Sequence, residues 1–230
     1  MSVGENIESV RQRIRRACDR SGRAPEDVRL IAVSKTMPTE SIREAYAAGL
    51  REFGENRVQE AAAKRQALAG LDVVWHLIGH LQSNKVKQAC QLFDWIQSVD
   101  SLHIAERIDH FAMGLGRKLP VLIEVHLGEE ASKFGVEEGE LIRLAERVGA
   151  LPSLELRGLM VLPPFFDDPE DVRPYFRHLR ELAGRIEVRN LPRVSMRELS
   201  MGMSHDFEIA IEEGATIVRV GTAIFGERQR

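Results

Sequence analysis

Short apolar runs rich in β-branched residues alternate with longer segments of helical period along most of this sequence. Such alternation is typical of parallel strands joined by crossover helices. Eight runs predict strands: Val28–Ser34, Arg51–Gly54, Val73–Ile78, Trp95–Val99, Pro120–His126, Glu155–Leu162, Val194–Ser200 and Thr216–Val220. Because eight such units fit into roughly 200 residues without a linker, we predict an α/β protein with a single (β/α)8 TIM barrel.

The segment before the first strand indicates one additional helix. Ile7, Val10, Ile14 and Ala17 fall on one helical face, so residues 1–24 are expected to form an N-terminal helix packed on the barrel. No internal repeat, low-complexity tract or hinge follows it. We therefore expect residues 1–230 to form a single domain.

Residues typical of helix ends mark two of the crossover helices. Pro38 and Thr39 are expected to open one helix, and Gly49 to close it. Ser204 is expected to cap a second helix that ends before Gly214.

Charge and cysteine content narrow the classes of partner. Lys and Arg number 32 against 35 Asp and Glu, and the net charge of -3 gives no reason to expect a nucleic acid or an anionic membrane. Small molecules are the expected ligands. Cys18 and Cys90 are too few for a disulfide framework, and no apolar run approaches the ~20 residues that span a bilayer. We expect a soluble, cytoplasmic protein.

A lysine follows the first predicted strand, where a doubly wound sheet would carry a Gly-rich turn. Active sites of barrels lie at the C-terminal ends of the strands. Lys35 shares strand parity with Ile31 and Val33, so it points inward if those residues face the interior. A desolvated lysine has a lowered pKa and can attack a carbonyl group. The alternative is a solvated lysine at the start of a loop.

The last two βα loops carry features of a phosphate site, a frequent property of these loops in barrels. Ser200 and Gly202 offer a hydroxyl group and a tight turn, and Gly221 and Thr222 offer unhindered N–H groups and a second hydroxyl. Both loops could equally be simple turns. A lysine combined with a phosphate site is more specific than either feature alone.

Arg219 shares parity with Ile217 and is expected to project inward near the end of its strand. An unpartnered guanidinium would be costly there. Either an ion pair with Glu198 or Asp206, or a pyridine nitrogen, could accept its hydrogen bonds. Opposite a pyridine nitrogen, an arginine would not favour ring protonation and would weaken the ring as an electron sink.

Two further patterns fail the tests for a metal or dinucleotide site. His76 and His80 lack supporting Cys or carboxylate ligands, so we predict no metal site and expect ordinary hydrogen bonding. Gly114-Leu115-Gly116 lacks the third glycine of the dinucleotide fingerprint.

Seven segments, in order along nearly the whole chain, resemble the YggS/PROSC-type pyridoxal phosphate homeostasis proteins, a family that binds pyridoxal 5′-phosphate (PLP). The segments are Leu30–Thr36, Phe53–Glu60, Trp75–Lys85, Ser132–Gly135, Arg157–Met160, Leu199–Ser204 and Val218–Gly226.

The resemblance implies a role for each residue of a cofactor site. Lys35 would form a Schiff base with PLP, and Asn56 would lie beside the cofactor. Arg219 would face the pyridine nitrogen. The phosphate would be held by the residues of the last two loops, namely Ser200, Gly221 and Thr222.

The family fold is similar to the N-terminal barrel of alanine racemase, of the type III PLP fold. The racemase's C-terminal domain, with its catalytic tyrosine, has no counterpart here. Tyr46 and Tyr175 both fall in predicted helices, so we predict no catalytic residues. The expected function is intracellular PLP homeostasis by a non-enzymatic protein that holds the cofactor reversibly and could supply apo-enzymes.

Two enzymatic alternatives remain open at this point. One is an amino-acid racemase completed by a partner subunit, or by an acid such as His205 or Asp206. The other is a Schiff-base aldolase that uses Lys35 and the phosphate site on a sugar phosphate without a cofactor.

Overall fold

The chain folds into a closed barrel of parallel strands that follow one another in sequence order, with β8 pairing to β1. The structure is a computed structural model, of which residues 2–128 and 134–227 are described. Within these residues the strands are β1 Arg29–Val33, β2 Glu52–Glu55, β3 Val74–Leu77, β4 Trp95–Val99, β5 Leu119–Val125, β6 Leu154–Val161, β7 Val194–Ser200 and β8 Ile217–Val220.

Helices surround the barrel on the outside. They are α1 Val3–Ser21, α2 Thr39–Ala47, α3 Val58–Ala67, α4 Val86–Leu92, α5 Leu102–Gly114, α6 Glu138–Gly149, α7 Arg173–Glu187, α8 Phe207–Glu212 and α9 Thr222–Phe225. Short 3₁₀ turns at Pro25–Asp27, Ser83–Lys85 and Pro169–Val172 precede β1, α4 and α7. No helix in the described ranges is both long and apolar enough to cross a bilayer.

All eight predicted strands are confirmed, and no end differs by more than one residue. The predicted (β/α)8 fold is therefore confirmed. α2 begins after Pro38, and Gly49, with φ of 89°, follows its end as expected. Two residues of the recognised segments, Ser132 and Lys133, lie outside the described residues.

The predicted N-terminal helix is also confirmed, as α1. Ser2 Oγ accepts the N–H of Glu5 at 3.2 Å, and the Glu5 carboxylate accepts the Ser2 N–H at 2.7 Å, which closes a capping box. The face that carries Ile7 and Ile14 is buried, and α1 packs against α2, α8 and α9. Asn6 Nδ2 also donates to the Ile224 carbonyl at 2.9 Å, so the first helix holds the last one.

The strands separate two apolar clusters. A small inner cluster, formed by Ile31, Leu122, Met160 and Ile217, lies inside the barrel, and a larger outer cluster lies between strands and helices. Successive strand residues point to opposite faces. Since Ile217 faces inward, alternation places Arg219 on the interior side of β8. Lys35 lies in a turn two residues beyond the end of β1, so its inward direction stays a prediction.

The predicted cap of α8 is wrong. α8 ends before Gly214 as expected, but it begins at Phe207, and Ser204 makes no capping bond to it. Instead, Ser204 Oγ accepts the N–H groups of Gly221 and Ala223, each at 3.2 Å. The tertiary contact across the rim replaces the local one.

A buried carboxylate joins α7 to the end of α8. Glu213, 5% exposed, lies 3.2 Å from Arg173, 3.0 Å from Arg177 and 3.4 Å from Arg180. Burial opposes ionisation of Glu213, but the guanidinium groups of Arg177 and Arg173 outweigh it and lower the pKa of this carboxyl group.

We expect Glu213→Gln to reduce the free energy of unfolding at pH 7 by about 1–3 kcal/mol, because three guanidinium groups lose their anion. The folded-state pKa is depressed. The stabilisation by ionised Glu213 is therefore complete above the unfolded-state pKa of about 4.3. It is lost as the pH falls through the folded-state pKa. Urea unfolding measured at pH 7 and in acid should show that acid lowers the free energy of unfolding less in the variant than in the wild type. Glu140→Gln, which removes an exposed ion pair with Arg143, should change neither value.

Candidate functional site

Lys35 lies in the turn after β1, separated from the strand by Ser34, and β1 itself lies between two neighbouring strands. On one side β1 pairs with β2, which is followed by Asn56. On the other side β1 pairs with β8, which carries Arg219. Ile31 is in register with Arg219, and a Cβ added to Gly221 would lie 3.4 Å from the Val33 carbonyl oxygen. Residues far apart in sequence therefore meet at one side of the mouth.

A second lysine lies behind the Lys35 turn and was not predicted. Lys64 on α3 is 6% exposed, and its ammonium group donates to the Ser34 carbonyl at 2.6 Å. It also donates to Glu55 Oε1 at 2.8 Å and to Glu60 Oε1 at 2.6 Å. All three ammonium protons thus have acceptors, as a buried cation requires.

The same carboxylates fix the residues on both sides of Lys35. Ser34 Oγ donates to Glu55 Oε1 at 2.6 Å, and the Thr36 N–H donates to Glu60 Oε1 at 2.5 Å. Thr36 has φ of 65°, a left-handed conformation that is unfavourable for a β-branched residue. We call Glu55, Glu60 and Lys64 the clamp, because together they hold the turn that presents Lys35.

The two carboxyl groups of the clamp have shifted pKa values of opposite sign. Burial raises the pKa of Glu55, although Lys64 and Ser34 oppose that shift. For Glu60, burial is outweighed by the hydrogen bonds from Lys64 and from the Thr36 N–H, which lower its pKa. Glu60 therefore ionises more readily than Glu55 and is the main counter-charge of Lys64.

Asn56 presents a buried acceptor atom to the mouth. Its Oδ1 has no hydrogen-bond partner among the described residues. Its backbone is packed against Gly79, where an added Cβ would lie 2.5 Å from the Asn56 carbonyl oxygen. Ser98 Oγ donates to the Gly79 carbonyl at 2.7 Å and fixes that close approach. The unpartnered oxygen is suited to a ligand that donates a proton or hydrogen bond.

Arg219 is fully buried beneath the same mouth. Its guanidinium donates to Ser200 Oγ at 2.6 Å and to the Val161 carbonyl at 2.8 Å. Burial lowers its pKa to about 10, against the opposing charges of Glu124 and Asp206. Of the two ion pairs considered from the sequence, Glu198 pairs with Arg29 at 2.7 Å, and Asp206 influences Arg219 only through its charge.

Ser200 is placed beside Arg219. Its side chain is fully buried, accepts from Arg219 and donates to Gln97 Oε1 at 2.6 Å. The phosphate role predicted for Ser200 stays a prediction. The observed contacts give its hydroxyl group a direct role in orienting the guanidinium.

The loop after β8 provides two converging N–H donors. Those of Gly221 and Ala223 both point at Ser204 Oγ, and Thr222 between them is exposed. Two backbone N–H groups aimed at one oxygen form the kind of concave site that binds anions. Ser204 was not among the predicted site residues, because it was expected to cap the helix that ends before Gly214.

His80 lies at the rim. Its Nδ1 is 3.0 Å from Asp100 Oδ2, and its ring stacks on Phe134 with centroids 3.8 Å apart. Among the described residues, no group of three or more His, Cys, Asp and Glu side chains could hold a metal ion. The hydrogen bonding expected for His80 and His76 is present.

Comparison with known proteins agrees with this geometry. The family described as alanine racemase, N-terminal domain, matches residues 6–229. The pyridoxal phosphate homeostasis protein of Aquifex aeolicus is 49% identical over 229 residues, covering 100% of both chains. The PipY protein of Synechococcus elongatus, solved with PLP bound, is 42% identical with a TM-score of 0.87, over 98% of this chain and 100% of that one.

An alanine racemase from Clostridium difficile shares the fold. It is 15% identical with a TM-score of 0.77, and the match covers 100% of this chain but 57% of the racemase. The likeness to the racemase barrel expected from the sequence is thus confirmed at the level of fold. The chain belongs to the alanine racemase N-terminal domain family, in its branch of pyridoxal phosphate homeostasis proteins.

Proposed function

We propose that this protein binds PLP reversibly as a Schiff base on Lys35 and serves intracellular PLP homeostasis. The observation that carries the proposal is that the clamp holds the Lys35 turn after β1, between β8, which carries the buried Arg219, and β2, which leads into Asn56 with its unpartnered Oδ1. When bound, PLP supplies an aldehyde that condenses with an amine. A close relative is described as pyridoxal phosphate homeostasis protein, and another was solved with PLP bound.

The described side chains fit the polar groups of PLP. The Asn56 oxygen would accept from the ring hydroxyl or from a proton on the Lys35 nitrogen. The Arg219 guanidinium would donate to the ring nitrogen, since only two of its five N–H donors are used by Ser200 and Val161. The N–H groups of Gly221 and Ala223, with the Thr222 hydroxyl, would hold the phosphate, whose oxygen would take the place of Ser204 Oγ as their acceptor.

The distribution of acidic and basic groups supports a holder of PLP over a racemase. Arg219 remains a cation and gives the ring nitrogen no proton, which weakens carbanion stabilisation. Tyr46 on α2 lies under the Arg51 guanidinium, and Tyr175 on α7 packs on Phe166. Both tyrosines pack against the outer cluster of the barrel. We propose that the protein is not an enzyme.

Delivery and location complete the proposal. A half-buried Lys35 at an open rim is accessible to amines, which supports release of PLP to apo-enzymes. Cys18 and Cys90 are free buried thiols, and burial raises the pKa of Cys90 to about 11. Such thiols suit the reducing cytoplasm, where we place the protein.

Lys35→Ala is expected to abolish the visible Schiff-base absorption band that the wild type shows with PLP. After borohydride treatment, mass analysis should find a pyridoxyl group on Lys35 of the wild type alone. Lys87→Ala, at an exposed position on α4, should retain the band and the label. A wild type without the band, or a variant that keeps it, would contradict the proposed attachment.

Thr222→Val is expected to weaken PLP binding about tenfold, because a hydrogen bond from a hydroxyl to a charged phosphate is lost. Fluorescence titration with pyridoxal, which has no phosphate, should give the same affinity for both proteins, and Thr222→Ser should restore PLP binding. Equal loss for pyridoxal and PLP would place the phosphate elsewhere.

A further inference from the structure

A continuous line of hydrogen bonds crosses the barrel interior from the mouth toward the opposite end. Arg219 Nη1 lies 2.6 Å from Ser200 Oγ, which lies 2.6 Å from Gln97 Oε1. Gln97 Nε2 lies 3.0 Å from His76 Nδ1, and His76 Nε2 lies 2.7 Å from Glu52 Oε2. We call these five residues the relay; they come from five different strands.

The two charged ends determine which atom carries each proton. Arg219 can only donate, so Ser200 accepts and its single proton goes to the Gln97 oxygen. The Gln97 amide group must then donate to Nδ1 of His76, which places the imidazole proton on Nε2. That proton is donated to the Glu52 carboxylate. Every donor in the relay therefore points away from the mouth.

The surroundings of His76 and Glu52 agree with a neutral imidazole beside a carboxylate. Burial lowers the pKa of His76, against the effect of Glu52. Burial opposes ionisation of Glu52, but the hydrogen bond from His76 and the charges of His76 and Arg29 together outweigh it and lower the pKa of this carboxyl group. Arg29 also faces Glu52 at 4.0 Å, and Asp94 acts on His76 through its charge.

The charges that face Arg219 explain why a relay is useful. Glu124 on β5 and Asp206 before α8 both attract the guanidinium. A direct ion pair with Glu124 or Asp206 would turn the N–H donors of Arg219 toward that carboxylate. The relay instead satisfies Nη1 through Ser200, and Val161 satisfies Nη2, which leaves the remaining N–H donors available to a ligand.

Resting on the proposed function, we propose that Gln97 and His76 are positioning residues for PLP: they hold Arg219 in the orientation that faces the ring nitrogen. Glu52 provides the carboxylate that terminates the relay. Neither Gln97 nor His76 touches the cofactor in this arrangement. Their effect reaches it through Ser200 and Arg219, as outer hydrogen-bond partners orient the ligands of a metal.

The test compares two substitutions at Gln97 in the full-length protein loaded with PLP. Gln97→Met keeps the side-chain volume but breaks the relay, so Arg219 can turn toward Glu124 or Asp206. We expect the Schiff-base band to form, with PLP affinity about tenfold weaker and a shifted pH profile of the visible spectrum. Gln97→Glu keeps an acceptor for Ser200, so affinity should stay near the wild-type value. Its pH profile should still shift, because His76 must then donate from both nitrogens.

Leu122→Val is the matched control, because it removes volume from the inner cluster without touching the relay. It should lower the melting temperature and leave the affinity and the pH profile unchanged. A Gln97→Met protein with wild-type affinity and pH profile would overturn the proposal, as would the same shift in Leu122→Val. If Gln97→Met fails to fold, Gln97→Glu provides the test: an unshifted pH profile of its visible spectrum would overturn the proposal. A wild type without the Schiff-base band would refute the proposed function itself, a result distinct from these.

Discussion

Pairing of the last strand with the first is the constraint on which the rest of the structure depends. Arg29 N donates to the Thr216 carbonyl at 2.8 Å, and the register that follows brings Ile31 level with Arg219. Closure leaves no strand edge unpaired and aligns the C-terminal ends of all strands at one rim. The convergence of Lys35, Asn56 and Gly221 follows from this geometry, since their positions along the chain alone would leave them far apart.

Close backbone approaches maintain that closure where the recognised segments carry glycine. At Gly158 on β6, an added Cβ would lie 1.8 Å from the Glu198 carbonyl oxygen on β7, next to a shift in strand register. Gly79 similarly admits the backbone of Asn56. Each glycine lets two chain segments approach to a distance that any side chain would prevent.

The sequence predicted the strands well, because they depend on local periodicity. Alternation with a period of two also predicted the inward position of Arg219, which is buried, from its apolar neighbours alone. Strand ends agreed within one residue, since the turn residues there are distinctive. Family resemblance supplied the identity of the cofactor, which periodicity cannot provide.

The clamp and the relay could not be predicted in the same way. Lys64 has the sequence context of an ordinary helix lysine, and its burial follows from the packing of α3 against β2, which brings it to the Ser34 carbonyl. The bond between Ser200 and Gln97 joins residues 103 positions apart and depends on the diameter of the barrel. Ser204 was assigned to the wrong partner because local capping rules do not include a loop that arrives from the next strand.

The contact between the first helix and the last has a consequence for how the protein is made. Asn6 binds the carbonyl of Ile224, 218 positions later, and β1 gains one of its two neighbours only when β8 is present. A chain emerging from the ribosome can form individual βα units early, but neither end of the barrel has its partner until synthesis is almost complete. Until then the open edges of β1 and of the most recently made strand are exposed, so we infer that cotranslational folding stalls short of the native state. The clamp residues of β2 and α3 already contact the Lys35 turn before that step, so final closure adds the loop after β8 and only then completes the site.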